Sequence, residues 1–207
     1  MVKRKEKNKK TRIIQELKEH IPFTALATLI AVTLTIILTI SKPSYFPEFS
    51  KPLFEILHPA HVFFSAFATA SLFYKYKKKI IATLLVGITG AISMGSLSDV
   101  ILPWFETNLL SITTSFHLPL IEEPFVIIGI ALIGSLTGIF LIKTKLPHLI
   151  HVLLSVFASL AYLFAFGPEL DILMLFLSFF IVFIAVILPC CLSDIVFPLL
   201  FIKDKKQ

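Results

Sequence analysis

The sequence predicts an all-α integral membrane protein with six transmembrane helices, built as two inverted-topology repeats of three helices each. Three observations lead there: six long apolar runs, basic residues concentrated in alternate loops, and a polar signature that returns in the second half. Composition agrees. The 207 residues are 57% hydrophobic and 15% charged, with 21 Phe and a mean hydropathy of +0.91. Soluble domains are about 45–50% apolar and about 25% charged. An ordinary soluble domain, a disulfide-stapled mini-protein, a coiled coil and a disordered tail are therefore excluded.

A membrane helix needs about 20 consecutive apolar residues. Runs of that kind cover 21–40, 53–74, 80–104, 125–142, 147–166 and 172–202, the last long enough to tilt or kink. Polar breaks fall at 41–52, 75–79, 106–124, 143–145 and 167–171. The first run is too long for a cleaved signal peptide, and no small-residue cleavage site follows it. Residues 1–20 hold eight Lys and Arg, 75–79 four, 143–145 two and 203–207 three, so 17 of 19 share one side. Only Lys42 and Lys51 fall on the other, with Glu48, Glu106, Glu122, Glu123, Glu169 and Asp171. The positive-inside rule then predicts a multi-pass plasma-membrane protein with both termini cytoplasmic. Trp104 and Tyr45 suit an outer aromatic belt, Tyr74 and Tyr76 an inner one.

This divides the chain into a basic cytoplasmic tail (1–20), a first repeat (21–104), a second, inverted repeat (105–202) and a cytoplasmic tail (203–207). The net charge of +6 needs no nucleic-acid partner, because a basic tail anchors on anionic lipid headgroups. Cys190 and Cys191 are adjacent, a spacing ill suited to a mutual bridge, and they report nothing of redox compartment.

The repeat is carried by rare polar residues. His58-Pro-Ala-His61-Val-Phe-Phe-Ser65-Ala-Phe67-Ala68 returns as His148-Leu-Ile-His151-Val-Leu-Leu-Ser155-Val-Phe157-Ala158. Leu97-Ser98-Asp99-Val-Ile-Leu-Pro103 returns as Leu192-Ser193-Asp194-Ile-Val-Phe-Pro198, and His20-Ile-Pro22 as His117-Leu-Pro119. Shared composition explains matching Leu, Val and Phe. It does not explain six histidines and two aspartates recurring in order. With three spans per copy, the second copy enters from the opposite side, the inverted arrangement of many secondary transporters.

A carboxylate at a helix centre costs about 2.5–3.5 kcal/mol on insertion scales, so Asp99 and Asp194 each need a partner. Residues three apart share a helix face, which pairs His58 with His61 and His148 with His151. Counting from the hairpin turns puts each pair within about one helical turn of its aspartate. The expectation is two metal sites at different depths: His58, His61 and Asp99 toward the outer face, and His148, His151 and Asp194 toward the inner. His20, His117, Glu122 and Cys191 are weaker candidates. Pro103 and Pro198 free the carbonyls of Asp99 and Asp194 as further donors. Ser65 and Ser155 read as bonded back to their own helices, and Gly87, Gly90, Gly95 and Gly134-x-x-x-Gly138 as close helix contacts.

Imidazole with carboxylate suits Zn, Fe, Mn, Co or Ni. Haem is not expected, because residues three apart on one face cannot ligate both sides of the ring. The first reading is a divalent transition-metal transporter or metal-binding permease, with lipid and metal ion as partners and a homo-oligomer compatible with it. The second is a membrane-embedded metal-dependent hydrolase, with Ser98 or Ser193 beside the acid. A non-catalytic structural membrane protein is the third.

Overall fold

The computed structural model describes residues 46–109, 113–142, 145–167 and 195–202, position 186, and scattered positions between 11 and 37. The architecture is all-helical: no strand occurs among the described residues. In chain order the helices are α1 (Phe46–Tyr76), α2 (Ile80–Ser96), α3 (Leu102–Leu109), α4 (Pro119–Glu122), α5 (Pro124–Leu141), α6 (Lys145–Phe166) and α7 (Phe197–Leu200). A π-helical turn, Leu97–Ile101, joins α2 to α3. Four helical stretches are long and apolar enough to cross a membrane: Phe49–Tyr76, Ile80–Leu109, Pro124–Leu141 and Leu146–Phe166. They match the second to fifth predicted spans and make this a multi-pass membrane protein. The first and sixth predicted spans lie mostly outside the described residues, although every described position between 11 and 37 is helical.

In lipid the backbone must satisfy its own hydrogen bonds, which is why each apolar run winds into a helix. The side chains then sort by neighbour. Phe125, Phe140, Ile81 and Ile133 stay exposed on the outside, as a surface facing acyl chains requires. The central element is α1, with two thirds of its apolar window buried (67%) against one third for α5 (33%).

Two boundaries differ from the sequence reading. The break at 41–52 predicts a loop, yet α1 begins at Phe46. Pro47 falls in the first turn, where a missing N–H disturbs no intrahelical bond. Ser50 and Phe54, one turn apart, are both fully buried, so packing holds this stretch in the helix. The third span likewise runs past residue 104 to Leu109. The Trp104 indole donates to the Thr114 carbonyl at 3.1 Å, and the Thr114 hydroxyl to Thr107 at 2.8 Å.

Contacts set the helix directions. Phe54 packs on Phe166 while His61 packs on His151, so α1 and α6 are antiparallel. Gly134 and Gly138 lie against the backbone at Phe63 and Phe67, so α5 runs parallel to α1. Gly87 lies beside Ala70 and Gly95 beside Val62, so α2 runs antiparallel to α1. Successive spans therefore alternate in direction.

The π-turn has a local cause. Pro103 offers no N–H and its ring would crowd the carbonyl four residues earlier. One extra residue in the turn relieves that, and the Leu102 N–H bonds the Leu97 carbonyl instead. The same switch from π to α winding occurs between Val196 and Phe197, one residue before Pro198.

Gly134 and Gly129 test the α1–α5 contact. A Cβ at Gly134 would run into the Phe63 carbonyl oxygen, whereas one at Gly129 meets nothing within 4 Å. Overpacking of this kind costs about 1–3 kcal/mol. Gly134→Ala is therefore expected to lower the thermal midpoint in detergent, and Gly129→Ala, which meets no clash and gains helix propensity, to hold or raise it. Equal midpoints would contradict the close approach.

Candidate functional site

Asp99 sits in the π-turn, fully buried, and four described side chains direct hydrogen bonds at its carboxylate. Oδ2 accepts from Nδ1 of His58 at 2.9 Å and from Nδ1 of His61 at 2.6 Å. Oδ1 accepts from the hydroxyls of Ser98 and Ser155, each at 2.8 Å. Ser159 on α6 donates to the Ser98 carbonyl at 3.1 Å. Three elements thus converge on one carboxylate. His58 and His61 come from α1, Ser98 from the π-turn and Ser155 from α6.

The bonds assign the histidine tautomers. An ionised carboxylate only accepts, so both Nδ1 atoms carry their protons, and in the neutral form of each ring Nε2 then keeps its lone pair. This is the arrangement of the carboxylate–histidine pairs that orient metal-ligating imidazoles. His58 Nε2 is buried with no hydrogen-bond partner among the described residues. A buried polar atom left in that condition costs about 1–3 kcal/mol.

Sequence reasoning separates the two histidine pairs; the structure joins them. The rings of His61 and His151 lie 5.0 Å apart, centroid to centroid, and those of His148 and His151 lie 5.3 Å apart. All four histidines are at most 1% exposed. The expectation of an outer and an inner set at separate depths is therefore overturned. Its error lies in helix ends. Starting the second span at 53 puts His61 near the outer face, but α1 spans Phe46–Tyr76 and His61 is its middle residue. From His61 to Tyr76, α1 extends about 22 Å, whereas α6 extends about 9 Å from Lys145 to His151. The Lys145 end of α6 thus stops well short of the Tyr76 end of α1.

The weaker candidates divide. His117 Nδ1 and Glu122 Oε1 are 2.7 Å apart, and Glu122 is half exposed. They do not join the buried cluster, because the Phe54 ring stands between, stacked on His58 at 5.5 Å and edge-on to His117 at 5.9 Å. His117 itself stacks on Phe166 at 4.5 Å. His20, Cys191 and Asp194 lie outside the described residues. Among the described residues, no group of three or more His, Cys, Asp or Glu side chains is arranged to hold one metal ion as it stands. The reason is visible at Asp99. Its carboxylate oxygens are occupied as hydrogen-bond acceptors, and the Nδ1 atoms point at them.

Sequence reasoning missed Ser155, which does not serve its own helix but donates across to Asp99. Ser159 and Phe54 were not singled out. The recurrence of serine four residues after each second histidine was the available signal for Ser155. The pattern marked the position without saying which helix it would bond.

The tautomer assignment is open to measurement. In protein labelled with 15N histidine, the Nε2 shifts of His58 and His61 are expected to be those of unprotonated, pyridine-like nitrogen. Nε2–H signals from both rings would contradict the assignment. The chain matches no protein family, no curated protein and no solved structure among those compared.

Proposed function

We propose that the protein carries a divalent transition-metal ion across the plasma membrane, binding it where two inverted three-helix repeats meet. In this reading the chain crosses the bilayer six times with both termini cytoplasmic, as the basic loops argue. One observation carries the proposal: His61 touches His151, its own counterpart in the sequence repeat, at 5.0 Å between centroids. A residue in contact with its symmetry mate lies beside the two-fold axis that relates them. In an inverted repeat that axis runs in the membrane plane. His61 is also the middle residue of α1. Both arguments lead to the bilayer centre, where transporters of this design hold their substrate.

Further support comes from the repeated elements. The π-to-α switch precedes Pro103 and Pro198 alike, and Ser155 of the second repeat bonds Asp99 of the first. The counterparts of His58, His61, Ser155 and Ser159 are His148, His151, Ser65 and Thr69. All four counterparts are buried, and all four are engaged in interactions. The ring spacing also suits a metal. Two imidazoles on one tetrahedral ion, each bonded at about 2.0–2.1 Å, have centroids about 5.2 Å apart. His61 with His151 and His148 with His151 lie at 5.0 and 5.3 Å, so ring rotation is the adjustment that remains. The metal-dependent hydrolase gains less support, because the Ser98 hydroxyl beside the acid is bonded to Asp99, as is that of Ser155.

Metal uptake into proteoliposomes tests the proposal. Zinc flux is expected for the wild type, with a loss of tenfold or more in His61→Gln, Asp99→Asn and Asp194→Asn. Because the two histidine pairs touch, both Asn variants should weaken binding of the same single ion. Absence of flux in the wild type, or full flux in His61→Gln, refutes the transporter.

A further inference from the structure

We infer that the site is built for ions that prefer imidazole nitrogen, of the zinc, cobalt and nickel class, and rejects manganese, magnesium and calcium. Asp99 acts as a positioning residue outside the coordination shell. The inference rests on the metal reading above and adds what that reading leaves open, namely which ions enter and through which atoms.

The argument starts from lone pairs. An ionised carboxylate offers about four acceptor positions on its two oxygens. Asp99 has four donors: His58 and His61 on Oδ2, Ser98 and Ser155 on Oδ1. A metal bonded to Asp99 would have to displace one of them inside a fully buried network. The histidines, by contrast, each keep a nitrogen for it. With Nδ1 committed to Asp99, Nε2 is the ligating atom on both His58 and His61, and on His58 it is buried without a partner among the described residues. The Ser98 and Ser155 hydroxyls turn their protons to the same carboxylate, and His61 has a second imidazole, His151, against it. Gly95 lies beside both rings: a Cβ placed on it would stand 3.9 Å from Cε1 of each histidine.

Ligand type then sets the ion class. Imidazole suits Zn, Ni and their neighbours, whereas Mg, Ca and Mn favour carboxylate, carbonyl and water oxygen. A shell with Asp99 inside it would admit manganese; with Asp99 behind it, the ligands that the described histidines supply are imidazole nitrogens. The carboxylate still contributes. It fixes each ring's orientation and raises the basicity of Nε2, and losing such a partner typically lowers metal affinity about 10–100-fold.

Cobalt titration of the full-length protein in detergent micelles tests this, because Co(II) reports its ligands through its visible absorption bands. Wild type is expected to show intense bands of tetrahedral, nitrogen-ligated Co(II), abolished by equimolar zinc and untouched by a 100-fold excess of Mn(II) or Mg(II). Asp99→Asn should weaken cobalt binding 10–100-fold while leaving the band positions in place, since no ligand is exchanged. Ser155→Ala, a milder change to the same acceptor, should also keep the bands and lower affinity only a few-fold. His61→Gln should shift the bands. Manganese displacing cobalt as zinc does, or bands that move in Asp99→Asn or Ser155→Ala, overturns the inference and leaves the transporter standing. Failure of wild type to bind cobalt or zinc overturns both.

Discussion

A single buried carboxylate organises this protein. Asp99 carries its charge to the buried interior of a helix bundle, where an unpaired anion would be prohibitive. Its four hydrogen bonds draw α1, the π-turn and α6 to one point. Bonds to an ionised acceptor are roughly twice as strong as neutral ones. The low dielectric around them makes their geometry hard to exchange for another. The packing of the central helix follows from this. His58 and His61 face inward because their acceptor is there, and the opposite side of α1 is free to receive the glycines of α5.

The π-turn is what makes the carboxylate available. A regular α-helix leading into Pro103 would set the proline ring against the backbone at Asp99. The widened turn removes that conflict and redirects the Ser98–Asp99 pair into the bundle, with both side chains fully buried. Such turns recur at functional positions because they re-aim side chains without ending the helix. Here a proline that reads as a simple kink near a helix end sets the direction of a fully buried carboxylate.

Close backbone contact does the complementary work at the other face of α1. Gly134 and Gly138 let α5 approach until the Ser71 hydroxyl donates to the Gly138 carbonyl at 2.9 Å. Lipid offers no hydrophobic drive to bring helices together, so small residues and interhelical hydrogen bonds supply the association. The end of the bundle near His117 is packed with rings, with Phe54 surrounded by His58, His117, Tyr162 and Phe166. The polar centre is therefore enclosed by apolar packing on the side where His117 and Glu122 form their separate ion pair.

The sequence by itself determined what lipid demands. Long apolar runs must be helices, basic loops must alternate with acidic ones, and a buried acid must find a partner. It therefore marked the helical character, the second to fifth spans and the pairing of His58 and His61 with Asp99, since i and i+3 residues share a face whatever surrounds them. The glycine spacing on α5 was legible for the same reason. Depth was not legible, because it depends on where a helix really ends. Whether the Ser50–Phe54 stretch stays helical is settled by its burial against other helices, and those extra turns move His61 to the centre of α1. Nor could spacing say that Ser155 would bond another helix, or that His61 and His151 would touch. Those contacts join residues far apart in the chain, and only the tertiary packing of α1 against α6 brings them within reach.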